Sequence, residues 1–119
     1  MASFEAGRRW VRKKSLKRFK EAIRSKTGRT RGGSLKEIIS DLNPMLRGWF
    51  GYFKQAQGST FNRLDGFIRR RLRAMLRKRE KRPGMGRCLD DHKRWNNAFF
   101  AGAGLFALYP ARLAEGHPR

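Results

Sequence analysis

Apolar residues recur at helical spacing near the start of the chain. Between residues 15 and 26, Leu16, Phe19 and Ile23 share one stripe, and lysines and arginines take most of the other positions. This pattern predicts an amphipathic helix over residues 15–26. The polar, Gly-rich segment 27–33 that follows is typical of a break between helices.

The clearest local signal for a helix start is at Ser34, which can form a capping box with Glu37. Four apolar residues then follow at i, i+3, i+4 and i+7: Leu35, Ile38, Ile39 and Leu42. We expect Asn43-Pro44 to end this short helix, because proline disfavours the helical conformation of the residue before it. The same pair can begin a third helix that runs to about Lys54, with Asn43 as its cap.

The third predicted helix combines aromatic residues with two glycines. Gly48 and Gly51 each cost about 1 kcal/mol relative to alanine in a helix interior, so we expect close approach of another backbone there, or a bend. Aromatic side chains beside cations can stack on nucleic-acid bases. At helical spacing they more often belong to a core. We therefore expect Trp49 and Phe53 to be inside, and the pattern leaves Tyr52 open.

A fourth helix is predicted from about Phe61 to Lys81. The segment 57–60 before it reads as a turn in which Ser59 or Thr60 caps the helix, and Pro83-Gly84 stops it. Its apolar stripe extends over four turns: Phe61, Leu64, Ile68, Leu72 and Met75.

Together these patterns predict an all-α fold, a small bundle of about four helices joined by short connections. We divide the chain into a basic N-terminal segment (1–14), a helical domain (15–83) and a C-terminal tail (84–119). The tail contains aromatic residues but no period, and we expect it to be irregular.

The net charge of the chain indicates the class of its binding partner. The 119 residues include 30 Lys and Arg against 9 Asp and Glu, which gives a formal net charge of +21. This excess calls for a polyanion, with nucleic acid the first candidate and an anionic membrane surface the second. The uncharged run from Ala98 to Ala111 is well short of the roughly 20 residues of a membrane span. The first ten residues lack the apolar stretch of a signal peptide. The single cysteine and the lack of a cluster with metal-ligand spacing lead us to expect a cytoplasmic protein.

The cations form two concentrations. Nine of the 14 residues from Arg69 to Arg82 are Lys or Arg, opposed only by Glu80. A charge run is usually a solvated face. Here like charges also recur at i,i+4, as in Arg69/Arg73 and Arg73/Arg77, which is mildly destabilising without a counter-ion and favours phosphate binding.

The second concentration covers Arg8 to Arg31, with twelve Lys or Arg against Glu21. Arginine can pair with phosphate or stack on a base, which suits an irregular RNA surface. From both concentrations and the helix between them we predict these RNA-binding residues: Lys17, Arg18, Lys20, Arg24, Arg29, Arg31, Arg47, Lys54, Arg69, Arg70, Arg71, Arg73, Arg77, Lys78 and Arg79.

The sequence offers no convincing catalytic or metal site. A single cysteine, Cys88, excludes an internal disulfide and a thiolate-based zinc site. Asp90-Asp91 superficially resembles the paired aspartates of a polymerase, but a strand hairpin and a third carboxylate are missing. His92 beside Asp91 has no accompanying nucleophile. We predict no catalytic residue, no metal and no cofactor.

The segment from Ser34 to Arg71 resembles the maturase-specific domain (thumb, or domain X) of group II intron reverse transcriptases. The resemblance rests on Leu42-Asn43-Pro44, Leu46-Arg47-Gly48-Trp49, Tyr52-Phe53, Phe61, Leu64-Asp65 and Ile68 to Arg73. Residues 15–20 are similar to the family's approach to this domain. Residues 95–100 and 104–106 are similar to the C-terminal ends of many bacterial members. The family-motif and core positions in this sequence are Leu42, Pro44, Leu46, Gly48, Trp49, Tyr52, Phe53, Leu64, Ile68 and Leu72.

The resemblance implies binding of group II intron RNA, which helps the ribozyme reach its splicing-competent fold and supports intron mobility. It also implies an accessory role without polymerase activity, because the fingers, palm and Cys-rich endonuclease module are missing from this sequence. We interpret the chain as a truncated or split reading frame, or an isolated domain, with a separate fingers–palm chain as a second partner. Two alternatives stay open: a general basic nucleic-acid-binding module, and a non-functional remnant of the reverse transcriptase.

Overall fold

The computed structural model describes residues 11–28, 32–53, 56, 58–79 and 93–115. These residues form five α-helices and no β-strand, which confirms the predicted all-α class. The helices are α1 (Lys13–Lys26), α2 (Leu35–Phe53), α3 (Gly58–Arg79), α4 (Asn97–Gly102) and α5 (Leu108–Glu115).

The predicted capping box begins α2 as expected. The Ser34 backbone N–H donates to Glu37 Oε1 at 2.9 Å, and the Glu37 backbone N–H donates to Ser34 Oγ at 3.1 Å. Gly33, immediately before it, has a φ of 98°, a conformation that a residue with a Cβ rarely adopts. The chain can therefore turn sharply into α2.

The predicted break at Asn43-Pro44 is wrong, because α2 continues through Pro44 as one helix of 19 residues. A proline inside a helix removes one backbone hydrogen bond and costs about 3 kcal/mol. Burial of the apolar stripe on both sides of the proline offsets that cost, and Leu42 and Leu46 are both fully buried. Tertiary packing therefore overrides the local preference.

Asn43 is consequently not a helix cap. Its side-chain amide nitrogen donates to the Gly104 carbonyl oxygen at 2.8 Å, and its Oδ1 accepts from the Phe106 backbone N–H at 2.8 Å. One side chain in the middle of α2 thus holds the loop between α4 and α5.

Two further local expectations differ from the structure. A Cβ placed on Gly48 or Gly51 would meet no atom within 4 Å, so of the two alternatives predicted for these glycines, close approach of another backbone is excluded among the described residues. In addition, α3 begins at Gly58, which puts Ser59 and Thr60 inside its first turn. Tyr109 of α5 packs on this turn, since a Cβ on Gly58 would lie 3.1 Å from the Tyr109 ring.

The C-terminal tail, expected to be irregular, contains α4 and α5 and belongs to the core. Its side chains Trp95, Phe100 and Leu108 are 6%, 1% and 0% exposed. Asn96 caps α4, accepting from the Phe99 backbone N–H at 2.8 Å. The helix α4 has only six residues, too few for an amphipathic period to be visible in the sequence.

Asp65 of α3 fastens the tail to the rest of the fold. Its two carboxylate oxygens accept from the backbone N–H groups of Leu108 and Tyr109, each at 2.8 Å. These are donors of the first turn of α5, which a helix cannot satisfy internally. A residue 43 positions earlier therefore caps α5.

Aromatic rings fill the contact between α1, α2 and α3. The Trp49 ring stacks on Phe19 with a centroid distance of 4.1 Å and an angle of 3°, and its edge contacts Phe61. Phe53 is buried, as expected, whereas Trp49 is only half-buried and Tyr52 is 67% exposed. Of the other family-motif residues, Pro44 and Gly48 are exposed. The leucines and the isoleucine of the motif are buried: Leu42, Leu46, Leu64, Ile68 and Leu72.

Candidate nucleic-acid interface

A row of four cations follows one side of α1. Lys13, Lys17, Lys20 and Arg24 are spaced by four, three and four residues, so successive members lie one turn apart. Together with Leu16 they line an open groove along the helix. This spacing places one positive charge about every 5 Å along the row.

The ring of Phe67 on α3 meets the C-terminal half of this row. The Lys20 ammonium lies 5.5 Å from the ring centroid and the Arg24 guanidinium lies 5.2 Å from it. A cation near the face of an aromatic ring is attracted by the ring's quadrupole, by roughly 0.5 to 1 kcal/mol at an exposed site. Phe67 therefore holds two α1 cations beside α3.

Helix α3 adds two cations next to this ring. Arg63 and Arg70 lie four residues before and three residues after Phe67, so both neighbour it on the helix surface, and both are exposed. We call the resulting surface the α1–α3 basic face: Lys13, Lys17, Lys20, Arg24, Arg63 and Arg70. Within the described residues, none of these six cations forms an ion pair.

Two of the predicted RNA-binding arginines point into the protein instead. Arg71 Nε donates to Thr27 Oγ1 at 3.0 Å and its Nη2 donates to the Arg24 and Thr27 carbonyl oxygens at 3.2 and 3.3 Å. Burial, with a smaller effect of nearby Arg24, lowers the pKa of Arg71. Arg71 therefore ties the end of α1 to α3.

Arg73 is only 3% exposed. Its Nε donates to the Trp95 carbonyl oxygen at 2.8 Å, and its guanidinium lies 5.5 Å from the Phe100 ring centroid. This arginine joins α3 to the tail, and phosphate has no access to it in this conformation.

The remaining predicted cations are spread over other surfaces. Arg47 lies on α2 with its guanidinium 5.3 Å from the Phe106 ring, and Arg69 is half-buried beside the tail. Arg18, Lys78 and Arg79 are exposed and Arg77 is half-buried. Three of the predicted RNA-binding residues lie outside the described part of the chain: Arg29, Arg31 and Lys54. The residues considered and rejected as catalytic or metal-binding also lie outside it: Cys88, Asp90, Asp91 and His92.

A cavity of about 200 Å³ lies between α3 and the two tail helices; we call it the tail cavity. Its polar residues are Asn62, Asp65, Arg69 and Asn97, and the rest of its lining is mainly apolar. Burial raises the pKa of the Asp65 carboxyl, although the backbone N–H groups it accepts from, and nearby Arg69, act in the opposite direction.

The described residues contain no group of three or more His, Cys, Asp or Glu that could hold a metal ion. Among the helices that the structure describes, none is both long and apolar enough to cross a membrane.

The family described as "Group II intron, maturase-specific domain" matches residues 16–95, more than half of the sequence. The chain belongs to this family. Comparison with curated proteins gives no match. The family match confirms the resemblance carried by the Leu42–Trp49 motifs, and membership implies a role in group II intron splicing and RNA binding.

The matched part of the maturase-specific domain contains most of the α1–α3 basic face. Lys13 is the one member that precedes residue 16, while the other five lie within the match. The match ends at Trp95, the residue whose carbonyl oxygen accepts from Arg73. The tail helices α4 and α5 follow that point and still pack on α3.

Sequence reasoning missed Lys13, Arg63 and Phe67 as members of this surface. A signal was available: Phe67 lies off the apolar stripe of α3, and Arg63 and Arg70 flank it at helical spacing. The structural roles of Arg71 and Arg73 had no such signal, because their partners lie 44 and 22 residues away.

Proposed function

We propose that this maturase-specific domain binds group II intron RNA through the α1–α3 basic face and thereby stabilises the splicing-competent fold of that RNA. The observation that carries the proposal is a set of six exposed or half-exposed cations around Phe67, four in a row on α1 and two on α3, without an acidic partner among the described residues. Family membership supports group II intron RNA as the polyanion.

The mechanism is electrostatic. Two packed helices hold the cations at fixed separations, so a folded RNA with phosphates at matching positions makes several contacts at once. Each contact releases counter-ions from the RNA, which makes the affinity depend steeply on salt. Because the protein binds the folded RNA in preference to unfolded forms, binding stabilises that fold by mass action.

The test compares two double variants with the same change in charge. Lys17→Gln/Arg70→Gln removes one cation from each row of the basic face. Lys36→Gln/Lys93→Gln removes two exposed cations outside this face. Affinity for an intron transcript is measured by filter binding at several salt concentrations.

Log affinity falls as log salt rises, and we expect the first variant to make this negative slope shallower by roughly 1.4 to 1.8, since each phosphate contact contributes about 0.7 to 0.9. The second variant should retain the wild-type slope. Equal slopes for both variants and the wild type would exclude the α1–α3 basic face from the RNA interface.

Competition distinguishes this function from general basic binding. At fixed salt, a structured intron transcript should displace labelled transcript at a much lower concentration than duplex DNA of equal length. Equal competition by the two nucleic acids would favour a general nucleic-acid-binding module.

The proposal gives the chain an accessory role, in which fingers and palm supplied by another polypeptide would carry out DNA synthesis. Co-expression with the fingers–palm chain of the same intron tests that part. A stable complex is expected on affinity purification, and recovery of each chain alone would remove this partner from the proposal.

A further inference from the structure

The tail cavity differs from the rest of the charged surface in having both an apolar lining and unused polar groups. Its volume of about 200 Å³ is smaller than the roughly 300 to 1,000 Å³ of a site for a drug-sized ligand, so it suits a smaller group. Phe100, Ala101, Leu105 and Pro110 give it an apolar lining.

The rim carries two amide side chains that the fold itself does not use. Asn62 and Asn97 both line the cavity and both are exposed. Neither amide hydrogen-bonds to any other residue that the structure describes. An asparagine amide offers two donors and an acceptor, which is the pattern needed to bind the edge of a nucleobase.

Deeper in the cavity, the carboxylate of Asp65 retains acceptor capacity. Its two oxygens accept one backbone N–H each, whereas an ionised carboxylate has about four acceptor positions. A ligand with an amino group, such as the N4 group of cytosine, would match the free positions.

Tyr109 also lines the cavity, and two contacts fix its position. The Tyr109 ring lies against Gly58, where a Cβ would be 3.1 Å from the ring, and the Tyr109 backbone N–H is held by Asp65. Arg69 lines the same cavity one helical turn from Asp65, and a guanidinium can pair with a phosphate next to a bound group.

We propose that the tail cavity binds one unpaired nucleobase of the intron RNA, with the base against the apolar lining and Tyr109, its edge on Asn62, Asn97 and Asp65, and its phosphate near Arg69. This inference rests on the proposed RNA-binding function and adds a point of base recognition to it. Single-stranded RNA is recognised in this manner, by unstacked bases placed on aromatic rings and hydrogen-bonded along their edges.

The test uses two RNA hairpins that differ only in one base. The first has a single bulged cytidine, and the second has an abasic residue in the same bulge, so that shape and charge are matched. Ala101→Phe fills the cavity from the exposed face of α4. Ala98→Phe adds the same side chain to α4 outside the cavity and serves as the control.

We expect the wild type to bind the cytidine bulge about tenfold more tightly than the abasic bulge, as for one base stacked on an aromatic side chain. Ala101→Phe should abolish this ratio without changing the affinity for the abasic hairpin, and Ala98→Phe should preserve it. Thermal unfolding of both variants verifies that their folds are equally stable.

Equal wild-type affinity for the two hairpins would overturn the inference, and so would a ratio that survives Ala101→Phe. These results leave the salt slope of the α1–α3 basic face untouched, so the proposed function would stand. Conversely, a slope insensitive to Lys17→Gln/Arg70→Gln would remove the proposed interface whatever the hairpin ratio.

Discussion

Replacing Asp65 with alanine tests how the tail is attached to the helical domain. The substitution removes both acceptors of the first turn of α5, each 2.8 Å from a backbone N–H. A hydrogen bond to a charged group contributes about 1.5 to 3 kcal/mol. The substitution also removes the free-energy cost of burying a carboxylate, which offsets part of the loss. We therefore expect the free energy of unfolding to fall by roughly 2 to 4 kcal/mol, a large fraction of the 5 to 15 kcal/mol of an ordinary domain.

Urea denaturation followed by far-UV circular dichroism measures this loss. With a slope of about 1 to 3 kcal/mol per M, the midpoint should shift by roughly 0.7 to 4 M. Asp41→Ala is the matched control, because Asp41 is an exposed helical aspartate whose ion pair with Lys26 spans 3.4 Å. Exposed pairs contribute at most about 1 kcal/mol. If Asp65→Ala shifts the midpoint no further than Asp41→Ala, the carboxylate does not hold α5.

Two other predictions concern pH and the glycines of α2. Because burial raises the pKa of Asp65, the Asp65 carboxyl keeps its proton to higher pH in the folded protein than in the unfolded chain. The unfolding free energy of wild type minus that of Asp65→Asn should be largest below the ordinary pKa of about 4 and fall as pH rises through the raised value. Urea titrations from pH 3.5 to 7 measure this, and a rise with pH would contradict it. Gly48→Ala should increase the free energy of unfolding by about 0.5 to 1 kcal/mol and thereby raise the thermal midpoint, since a Cβ there meets nothing within 4 Å. A lower midpoint would indicate an unseen constraint at that glycine.

The sequence correctly predicted those structural features that depend only on residues close to one another in the chain. The capping box of Ser34 and the apolar stripes of α1 and α3 are formed as expected, because both arise from residues within one or two turns. Asn43-Pro44 is the instructive failure. Its local preference is to end a helix, but burial of Leu42 and Leu46 on both sides keeps α2 continuous.

The tail escaped prediction because its order comes from contacts distant in sequence. The helix α4 is too short to show a period, and α5 is capped by Asp65, 43 residues before it. Asn43 similarly holds the loop before α5 from 61 residues away. Residues in the family motif can therefore be recognised from the sequence, while their partners become visible only in the folded chain.

A run of arginines does not by itself define an RNA-binding surface. Each residue of an α-helix is rotated by about 100° from the one before, so consecutive cations necessarily face different surroundings. Arg69 lines the tail cavity, Arg70 joins the α1–α3 basic face, and Arg71 binds the end of α1. Arg73 lies buried against the tail. Substituting the whole run would therefore confuse lost phosphate contacts with lost folding, and only positions that are each chosen by their partners, such as Arg70, can separate the two effects.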